Sequence, residues 1–404
     1  MTPTPDARWL PLLALSTTVT VAFGVMLYAV SVLITEEAAG AAFSTTVLST
    51  GYGGALLIGG VLAPSIGRRA DRLGVRLIFV SGIVLGGLGV TVFSLATQPW
   101  QVLAAFWLLI GPAGAMTFYE PAFVAVEQWF GSEHRARSLA TLTVIGGLAG
   151  PIFLPLASAL VDALGWRTAS RVLAGVLVAL GGAAALLMAR TSSTHAGAVN
   201  LEPRLVTLRR LVSDRRFVIY TVSVALLFMC LQAVLLHRIA LFEEGGFAVA
   251  SASAGAAIAG LLSFPGRFAA PFMARTWGGL PIQVVALLVL AGSTAVTIDG
   301  SQTWQLLTHF FLFGLAFGAM LPLRASIMGG WYSGPAYGRV MGSQWMVVSV
   351  AGAVGPAAVG AVRDATGGYT VPMALVSAGL VVAALLTTIS ARVAGNSISG
   401  PGTG

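Results

Sequence analysis

The sequence predicts an all-α membrane protein in which twelve apolar helices form two pseudo-symmetric six-helix bundles. Composition, the lengths of the apolar segments and an internal repeat support this prediction. Of the 404 residues, 57% are hydrophobic and only 9% are charged. A soluble domain carries about 25% charged residues, so this chain has too little charge to cover a water-facing surface. Lipid is therefore the expected solvent for most of it.

Twelve segments reach the roughly 20 apolar residues that a spanning helix needs. They are 9–34, 43–66, 77–97, 101–129, 138–163, 168–189, 217–240, 250–274, 280–298, 303–328, 337–362 and 369–392. A long polar interval separates the sixth segment from the seventh. It predicts an N-terminal bundle over 1–190, a cytoplasmic linker over 191–216 and a C-terminal bundle over 217–404.

All 22 basic residues are arginine, and they are unevenly distributed among the polar intervals. One set of alternate intervals contains most of them. The other set contains Arg167, Arg171, Arg238 and Arg363, together with acids such as Glu36 and Glu37. Cytoplasmic loops are rich in arginine and lysine, which predicts a multi-pass protein of the cytoplasmic (inner) membrane with both termini cytoplasmic. The lipid bilayer is its expected partner, and nucleic acid is not, because the arginines do not share one soluble face.

Short motifs of the first half recur in the second half in the same order. The matches are Gly114-Ala115-Met116 with Gly318-Ala319-Met320, Trp129-Phe130 with Trp331-Tyr332, and Gly150-Pro151 with Gly355-Pro356. The first pair is 204 residues apart (318−114). This recurrence indicates an internal six-helix duplication, a layout that places a solute site between the halves.

A motif between the second and third segments combines glycines with charges. It runs from Gly67 through Asp71, Arg72 and Gly74 to Arg76. Two glycines allow a tight turn, and Asp71 can approach a helix N-terminus in the other half. Either arginine can pair with an acid at the inner end of the fourth segment, for which Glu127 is the candidate. This pattern predicts conformational gating by these residues rather than solute binding.

This motif resembles the signature loop of the major facilitator superfamily, G-x-x-x-D-R-x-G-x-R, and the resemblance covers the whole chain. The run from Tyr119 to Phe123, with Gln128-Trp129-Phe130 and Tyr337-Gly338-Arg339, resembles the monocarboxylate-transporter-like branch, here as a bacterial member. The resemblance implies a monomeric secondary transporter that works by alternating access and needs no cofactor. Neither a lysine-containing phosphate loop, nor a metal-ligand cluster, nor a G-x-S-x-G motif is present, so neither an ATP-driven pump nor an enzyme is expected.

An arginine inside an apolar segment is the strongest single candidate for solute binding. Arg267 lies within the eighth segment. Inserting an arginine at the centre of a membrane costs at least about 2.5–3.5 kcal/mol, so a binding partner or a function is expected for it. A guanidinium makes a two-pronged fit to a carboxylate. The resemblance implies that Arg267 binds the substrate carboxylate. One turn earlier, Ser263 replaces the aspartate that animal members carry, and the helix-one lysine of those members is also missing.

Glu120 and Arg324 occupy equivalent positions of the fourth and tenth segments, because they are also 204 residues apart (324−120). Both segments line the cavity in the fold that the resemblance implies. The two side chains are expected to face each other there, as a static or a state-dependent ion pair. Alternatively, Glu120 takes the proton that couples transport to the proton gradient.

Further polar residues are candidates for the same cavity. His237 ends the seventh segment and fits the branch pattern; a membrane histidine can bind solute or relay protons near neutral pH. Tyr28, Tyr119 and Gln344 are candidate lining residues, although such side chains also join helices. His309 is expected to be a hydrogen-bonded packing residue.

These residues predict transport of a small organic anion, such as a monocarboxylate, that binds near Arg267 and Arg324, with Glu120 among the binding residues, and is coupled to protons. The alternative is an exporter of drugs or hydrophobic metabolites by proton antiport, which Gly146-Gly147 and Gly150-Pro151 favour because they partly match an antiporter motif. A third interpretation, from another class, is a membrane sensor or scaffold that transports nothing.

Overall fold

The computed structural model of the protein describes residues 9–34, 39, 42–130, 132–188, 208–334 and 336–393. Ten helical runs in these ranges are long and apolar enough to cross a membrane. One of them, His134–Leu187, contains two of the predicted helices, because Gly165 breaks it with a φ of 71°. A shorter apolar helix, Gly279–Ala295, completes the predicted set of twelve. The all-helical membrane architecture is therefore confirmed.

The spanning helices are numbered α1 to α12 in chain order. Their bounds are α1 Trp9–Leu33, α2 Thr45–Leu73, α3 Val75–Leu95, α4 Pro99–Trp129, α5 132–164, α6 166–187, α7 Arg215–Glu244, α8 Val249–Trp277, α9 Gly279–Ala295, α10 Thr303–Trp331, α11 Tyr337–Thr366 and α12 Thr370–Arg392. Three of them contain a short π-helical segment, a feature frequent at functional sites. These segments are Gly24–Ala29 in α1, Ala105–Ile110 in α4 and Leu177–Gly181 in α6.

The described residues divide into two compact units. Unit 1 comprises those of Met1–Arg204 and Ser333–Met346, and unit 2 those of Leu205–Tyr332 and Val347–Gly404. Helix α11 therefore begins in unit 1 and continues in unit 2.

Most of the predicted linker, both chain termini, and Glu36 and Glu37 lie outside the described residues. Within the linker range, Leu208–Ser213 forms a short helix and α7 begins at Arg215. Asp214 caps α7, because its Oδ1 accepts the amide hydrogens of Arg216 at 2.9 Å and Phe217 at 3.4 Å. Helix α7 thus begins slightly earlier than hydropathy indicates.

The internal repeat is visible in the backbone of each unit. Gly74 ends α2 with φ 82° and ψ 151°, and Gly278 ends α8 with φ 86° and ψ 144°, 204 residues later (278−74). Gln98 and Gln302 form the same capping box at the starts of α4 and α10, again 204 residues apart (302−98). Conformation, and not only composition, is therefore duplicated.

Side-chain packing repeats as well, through glycines that let helices approach closely. A Cβ on Gly111 would lie 2.8 Å from the carbonyl oxygen of Ala55, and a Cβ on Gly314 would lie 2.6 Å from that of Ala259. The ring of Phe106 packs on Gly51 in unit 1 and the ring of Phe310 on Gly255 in unit 2. Helices α2 and α4 therefore pack as α8 and α10 do.

We expect Gly314→Val to lower the thermal unfolding midpoint of the purified protein. The new side chain would meet the Ala259 backbone and the Leu262 side chain, and overpacking of this kind costs about 1–3 kcal/mol. Gly292→Val is the matched control, since a Cβ on Gly292 has nothing within 4 Å. Equal midpoints for the two variants would contradict this account of the α8–α10 packing.

Candidate functional site

Arg267 lies in a part of α8 that packs closely against α10. Gly266 packs directly against the carbonyl oxygen of Leu315, so a side chain at position 266 would separate the two helices. The Arg267 guanidinium carbon lies 6.0 Å from the ring centroid of Phe317 on α10. Such a face attracts a cation without neutralising it. Close helix packing thus places the arginine beside an aromatic wall within unit 2.

Ser263 orients the arginine from one turn earlier in α8. Arg267 Nε donates to Ser263 Oγ at 3.4 Å, and Ser263 Oγ donates to the carbonyl oxygen of Gly260 at 2.6 Å. Ser263 is 3% exposed. An aspartate at this position would add a negative charge next to the guanidinium, whereas serine adds only a neutral acceptor. The Ser263 contact therefore positions Arg267 and itself adds no negative charge.

Glu120 and Arg324 are buried in different units, and their predicted pairing stays a prediction. Glu120 is 8% exposed and lies in the first turn after Phe118, whose ψ of −164° interrupts α4. Arg324 is 1% exposed and follows Pro322 in α10. Each is an ionisable group inside a spanning helix, a position that marks a functional candidate.

Two predicted lining residues of unit 1 pack against the glycines of α5. A Cβ on Gly146 would lie 2.5 Å from the Tyr119 hydroxyl, and a Cβ on Gly150 would lie 3.2 Å from the Tyr28 ring. Both glycines therefore make room for tyrosines. This packing accounts for the partial antiporter motif without an exchange function.

An aromatic group surrounds Tyr119 and was only partly anticipated from the sequence. Phe23 stacks on Phe118 at 4.1 Å and lies 4.9 Å from Tyr119, which stacks on Phe123 at 5.5 Å. Phe118 had no distinguishing sequence signal, because its importance comes from the break in α4. These rings form an aromatic cluster in unit 1, and Glu120 follows Tyr119 directly in the chain.

His237 is held through both ring nitrogens within unit 2. Nε2 lies 3.0 Å from the carbonyl oxygen of Pro356, and Nδ1 lies 3.1 Å from the Tyr369 hydroxyl. A carbonyl only accepts, so Nε2 carries the hydrogen. Burial raises the pKa of the Tyr369 phenol, which keeps its proton and can donate to Nδ1. His237 thus joins α7 to α11 and to the start of α12, and its role in solute or proton binding stays a prediction.

The motif at the C-terminal end of α2 holds the first turn of α11 within unit 1. Asp71 Oδ1 accepts the amide hydrogen of Gly338 and Oδ2 accepts that of Arg339, both at 3.1 Å. The carboxylate therefore binds a helix N-terminus, as predicted for Asp71. Gln344, fully buried, lies two turns further along α11 and also belongs to unit 1.

Two details of the predicted motif are wrong. Gly67 does not form a turn: it lies inside α2 and packs against the Gly338 carbonyl, while Gly74, with its positive φ, makes the turn. Glu127 does not pair with Arg72 or Arg76, because Arg135 Nη2 donates to Glu127 Oε1 at 2.7 Å. The chain reverses between α4 and α5, which brings Arg135 to Glu127 from eight residues away.

No group of three or more histidine, cysteine or acidic side chains that could hold a metal ion occurs in the ranges the structure describes. The single cysteine, Cys230, is buried. The residues above provide guanidinium, carboxylate, imidazole and aromatic groups. These groups suit recognition of a charged organic solute and proton exchange.

Comparisons with known proteins agree on one family. The family model described as Major Facilitator Superfamily matches residues 12–298. MFS transporter asaE of Aspergillus flavus is 24% identical over 83% of this chain and 75% of its own length. Human Monocarboxylate transporter 11 is 26% identical over 74% of this chain, which spans 65% of that protein. The E. coli fucose:proton symporter FucP superposes with a TM-score of 0.73 at 14% identity, covering 94% of this chain and 98% of FucP.

Proposed function

We propose that this chain, which belongs to the Major Facilitator Superfamily, moves a small organic anion across the cytoplasmic membrane by alternating access. Membership makes it a secondary transporter rather than an enzyme. The proposal extends this to the solute class, to proton coupling and to an orientation with both termini cytoplasmic. Transporters built from parallel six-helix repeats work by rocking one bundle against the other.

One observation carries the choice of an anion: Arg267 is presented from α8 by a neutral serine beside the ring of Phe317. A guanidinium in apolar surroundings is stabilised most by a carboxylate that meets it with two parallel hydrogen bonds. The name of the relative Monocarboxylate transporter 11 supports the same solute class. A monocarboxylate with a small apolar body would satisfy both the charge and the aromatic wall.

Proton coupling is proposed for Glu120 and His237, with Arg324, Tyr119, Tyr28 and Gln344 as further solute contacts. Glu120 is buried in the first turn after the break at Phe118, and an ionisable side chain at such a position in a spanning helix is a candidate for proton transfer. Co-transport of a proton with a carboxylate carries no net charge across the membrane. A single monomer would suffice.

The test is uptake of radiolabelled acetate and lactate by proteoliposomes that contain the purified protein. An inward proton gradient is expected to drive accumulation, and a protonophore is expected to reduce it to the level of equilibration. Empty liposomes correct for diffusion of the neutral acids. Uptake that ignores the protonophore would exclude proton coupling, and absence of any carboxylate flux would exclude the anion proposal.

The second candidate is an exporter of hydrophobic metabolites by proton antiport. The stacked aromatic group around Tyr119 favours it, because flat apolar solutes pack on such surfaces. Proteoliposomes loaded with a lipophilic dye distinguish the candidates: proton-driven dye efflux without carboxylate uptake supports the exporter. Flux of neither solute class would leave the sensor or scaffold as the surviving interpretation.

A further inference from the structure

A second pair of basic residues in unit 2 lies away from Arg267, between α7 and α10. Arg238 stands six residues before the end of α7, and His309 stands six residues after the start of α10. The Arg238 guanidinium carbon lies 5.5 Å from the ring centroids of both Phe310 and Phe313. These two rings and Phe242 also surround the imidazole of His309, at 5.1–5.8 Å. The arginine and the histidine thus share one aromatic shell.

Hydrogen bonding fixes which nitrogen of His309 is basic. His309 Nδ1 lies 2.9 Å from the carbonyl oxygen of Ser293 on α9. Since a carbonyl only accepts, Nδ1 carries the hydrogen and Nε2 carries the lone pair. His309 is 1% exposed, and Nε2 is buried without a hydrogen-bond partner among the described residues. An unsatisfied buried atom of this kind costs about 1–3 kcal/mol.

Arg238 has an unsatisfied hydrogen-bond donor, whereas His309 has an unsatisfied acceptor. Its Nε is buried, and no described residue accepts a hydrogen bond from it. The part of the chain that the structure describes also supplies no ion pair to Arg238. Glu244, six residues further along α7, pairs with Arg363 at 3.1 Å. Aromatic faces offset only part of the cost of a desolvated cation, and no described residue supplies this guanidinium with an anion.

The packing of the fold does not require this histidine. The contact between Phe310 and Gly255 repeats the contact between Phe106 and Gly51 at an offset of 204 residues (310−106). By the same offset, His309 corresponds to Ala105 (309−204), which is fully buried in unit 1. The imidazole is therefore an addition specific to unit 2.

We propose that Arg238 and His309 form a second anion site that takes one singly charged anion together with a proton. The anion accepts hydrogen bonds from the Arg238 guanidinium and from Nε2–H of His309, which the incoming proton creates. Binding both at once leaves the local charge unchanged, which makes their joint binding favourable in apolar surroundings. The anion is a halide or a carboxylate. If it is a carboxylate that the protein transports, this inference rests on the proposed function; if it is a halide, it does not.

The charges around the imidazole support joint binding. Arg238, from α7, is the charged group that acts on His309 electrostatically, and α9 contributes the Ser293 carbonyl. Helix α9 has no ionisable residue, and those of α8 are Arg267 and Arg275, toward the other end of that helix. Arg267 lies 18 residues into α8, about 27 Å along it at 1.5 Å per residue. The Arg238 site therefore stands at a different depth from Arg267.

The test uses the line width of the ³⁵Cl NMR signal, which increases when chloride exchanges with a protein site. Wild-type protein in detergent is expected to broaden the signal saturably, more strongly at about pH 5.5 than at about pH 8, because a site that takes up a proton together with the anion binds the anion more tightly when protons are more abundant. Arg238→Gln is expected to weaken chloride affinity roughly tenfold or more, the change that loss of a charge-assisted hydrogen bond implies. His309→Gln should keep the Ser293 contact and remove the pH dependence.

Titration with acetate identifies the anion. If acetate displaces chloride at acetate concentrations below the chloride concentration, the site prefers a carboxylate. If acetate displaces chloride only at higher concentrations, the site prefers a halide. Arg267→Gln separates this inference from the proposed function, since that variant should keep the broadening whether or not it transports. Arg238→Lys, which keeps the charge, should retain part of the affinity and shows that the loss in Arg238→Gln is not unfolding. Absence of saturable broadening in the wild type, or equal broadening in wild type and Arg238→Gln, would overturn the proposal.

Discussion

Arg267→Gln is expected to lower the initial rate of carboxylate uptake into proteoliposomes about 10- to 100-fold. Glutamine keeps much of the length and a hydrogen-bond donor but removes the positive charge, and a hydrogen bond to a charged group contributes about 1.5–3 kcal/mol. The neutral Ser263, at 3.4 Å from Nε, cannot replace that charge. The lost interaction is with the solute, so thermal stability should change far less than transport.

Arg267→Lys refines this prediction. Lysine keeps the charge but offers no planar fork, so a two-pronged grip on a carboxylate is lost while long-range attraction remains. We expect a raised KM with a smaller loss of maximal rate than in Arg267→Gln. Arg275→Gln is the matched control, because Arg275 is an exposed arginine two turns further along the same helix. Wild-type kinetics in Arg267→Gln, or an equal loss in Arg275→Gln, would show that Arg267 does not bind the solute.

The membrane architecture could be predicted from the sequence because the bilayer imposes a simple rule. Every spanning segment must be apolar for about 20 residues, and hydropathy alone located α10 and α12 to within a few residues. The repeat was visible as scattered motifs, but its regularity was not. The paired φ values of Gly74 and Gly278 show that backbone conformation is duplicated even where the side chains differ.

The errors within the gating motif share a cause. A glycine in a helix and a glycine in a turn look alike in sequence, and only the end of α2 at Leu73 separates Gly67 from Gly74. Glu127 was assigned to a distant arginine of the motif, whereas the short connection after α4 folds Arg135 back onto it at 2.7 Å. Pair assignments depend on where a helix ends, which periodicity defines poorly.

The second anion site could not have been predicted for a related reason. Arg238 was grouped with the arginines of the polar intervals, because it lies close to the end of its apolar segment. The structure places it inside α7, against rings of α10 that are more than 70 residues away in sequence. Hydropathy indicates the depth of a residue along its helix, whereas the partner depends on which helix packs beside it. The relation between Arg238 and His309 appears only once both helices are in place.

Asp71→Ala is expected to reduce transport at least tenfold and to loosen the start of α11. The Asp71 carboxylate accepts two amide hydrogens of the first turn, from Gly338 and Arg339, at 3.1 Å each. Alanine removes both hydrogen bonds and the negative charge at a helix N-terminus, whose contributions are about 1.5–3 kcal/mol and about 0.3–1 kcal/mol. That free energy corresponds to a population shift of about one order of magnitude or more. The conformation described here should lose population accordingly.

Accessibility of Val340 reports this loosening directly. Val340 is 1% exposed in the first turns of α11, and a cysteine there should react slowly with a water-soluble maleimide in a Cys230→Ser background. Adding Asp71→Ala should accelerate its labelling about tenfold, in proportion to the open population. Val348→Cys, fully buried in the part of α11 that belongs to unit 2, serves as the internal control and should label at an unchanged rate.

Asp71→Asn separates the charge from the geometry of this contact. Asparagine keeps one oxygen acceptor and the shape of the side chain, so one amide hydrogen bond survives while the interaction with the helix dipole is lost. We expect labelling and transport intermediate between wild type and Asp71→Ala, with Asp299→Asn as the control because Asp299 lies in the connection between α9 and α10. If Asp71→Ala transports normally and Val340→Cys stays protected, the hydrogen bonds from Asp71 to α11 do not affect transport, and the gating role of this motif is wrong. If both variants lose transport while protection persists, Asp71 acts on the transport cycle by a route other than holding α11.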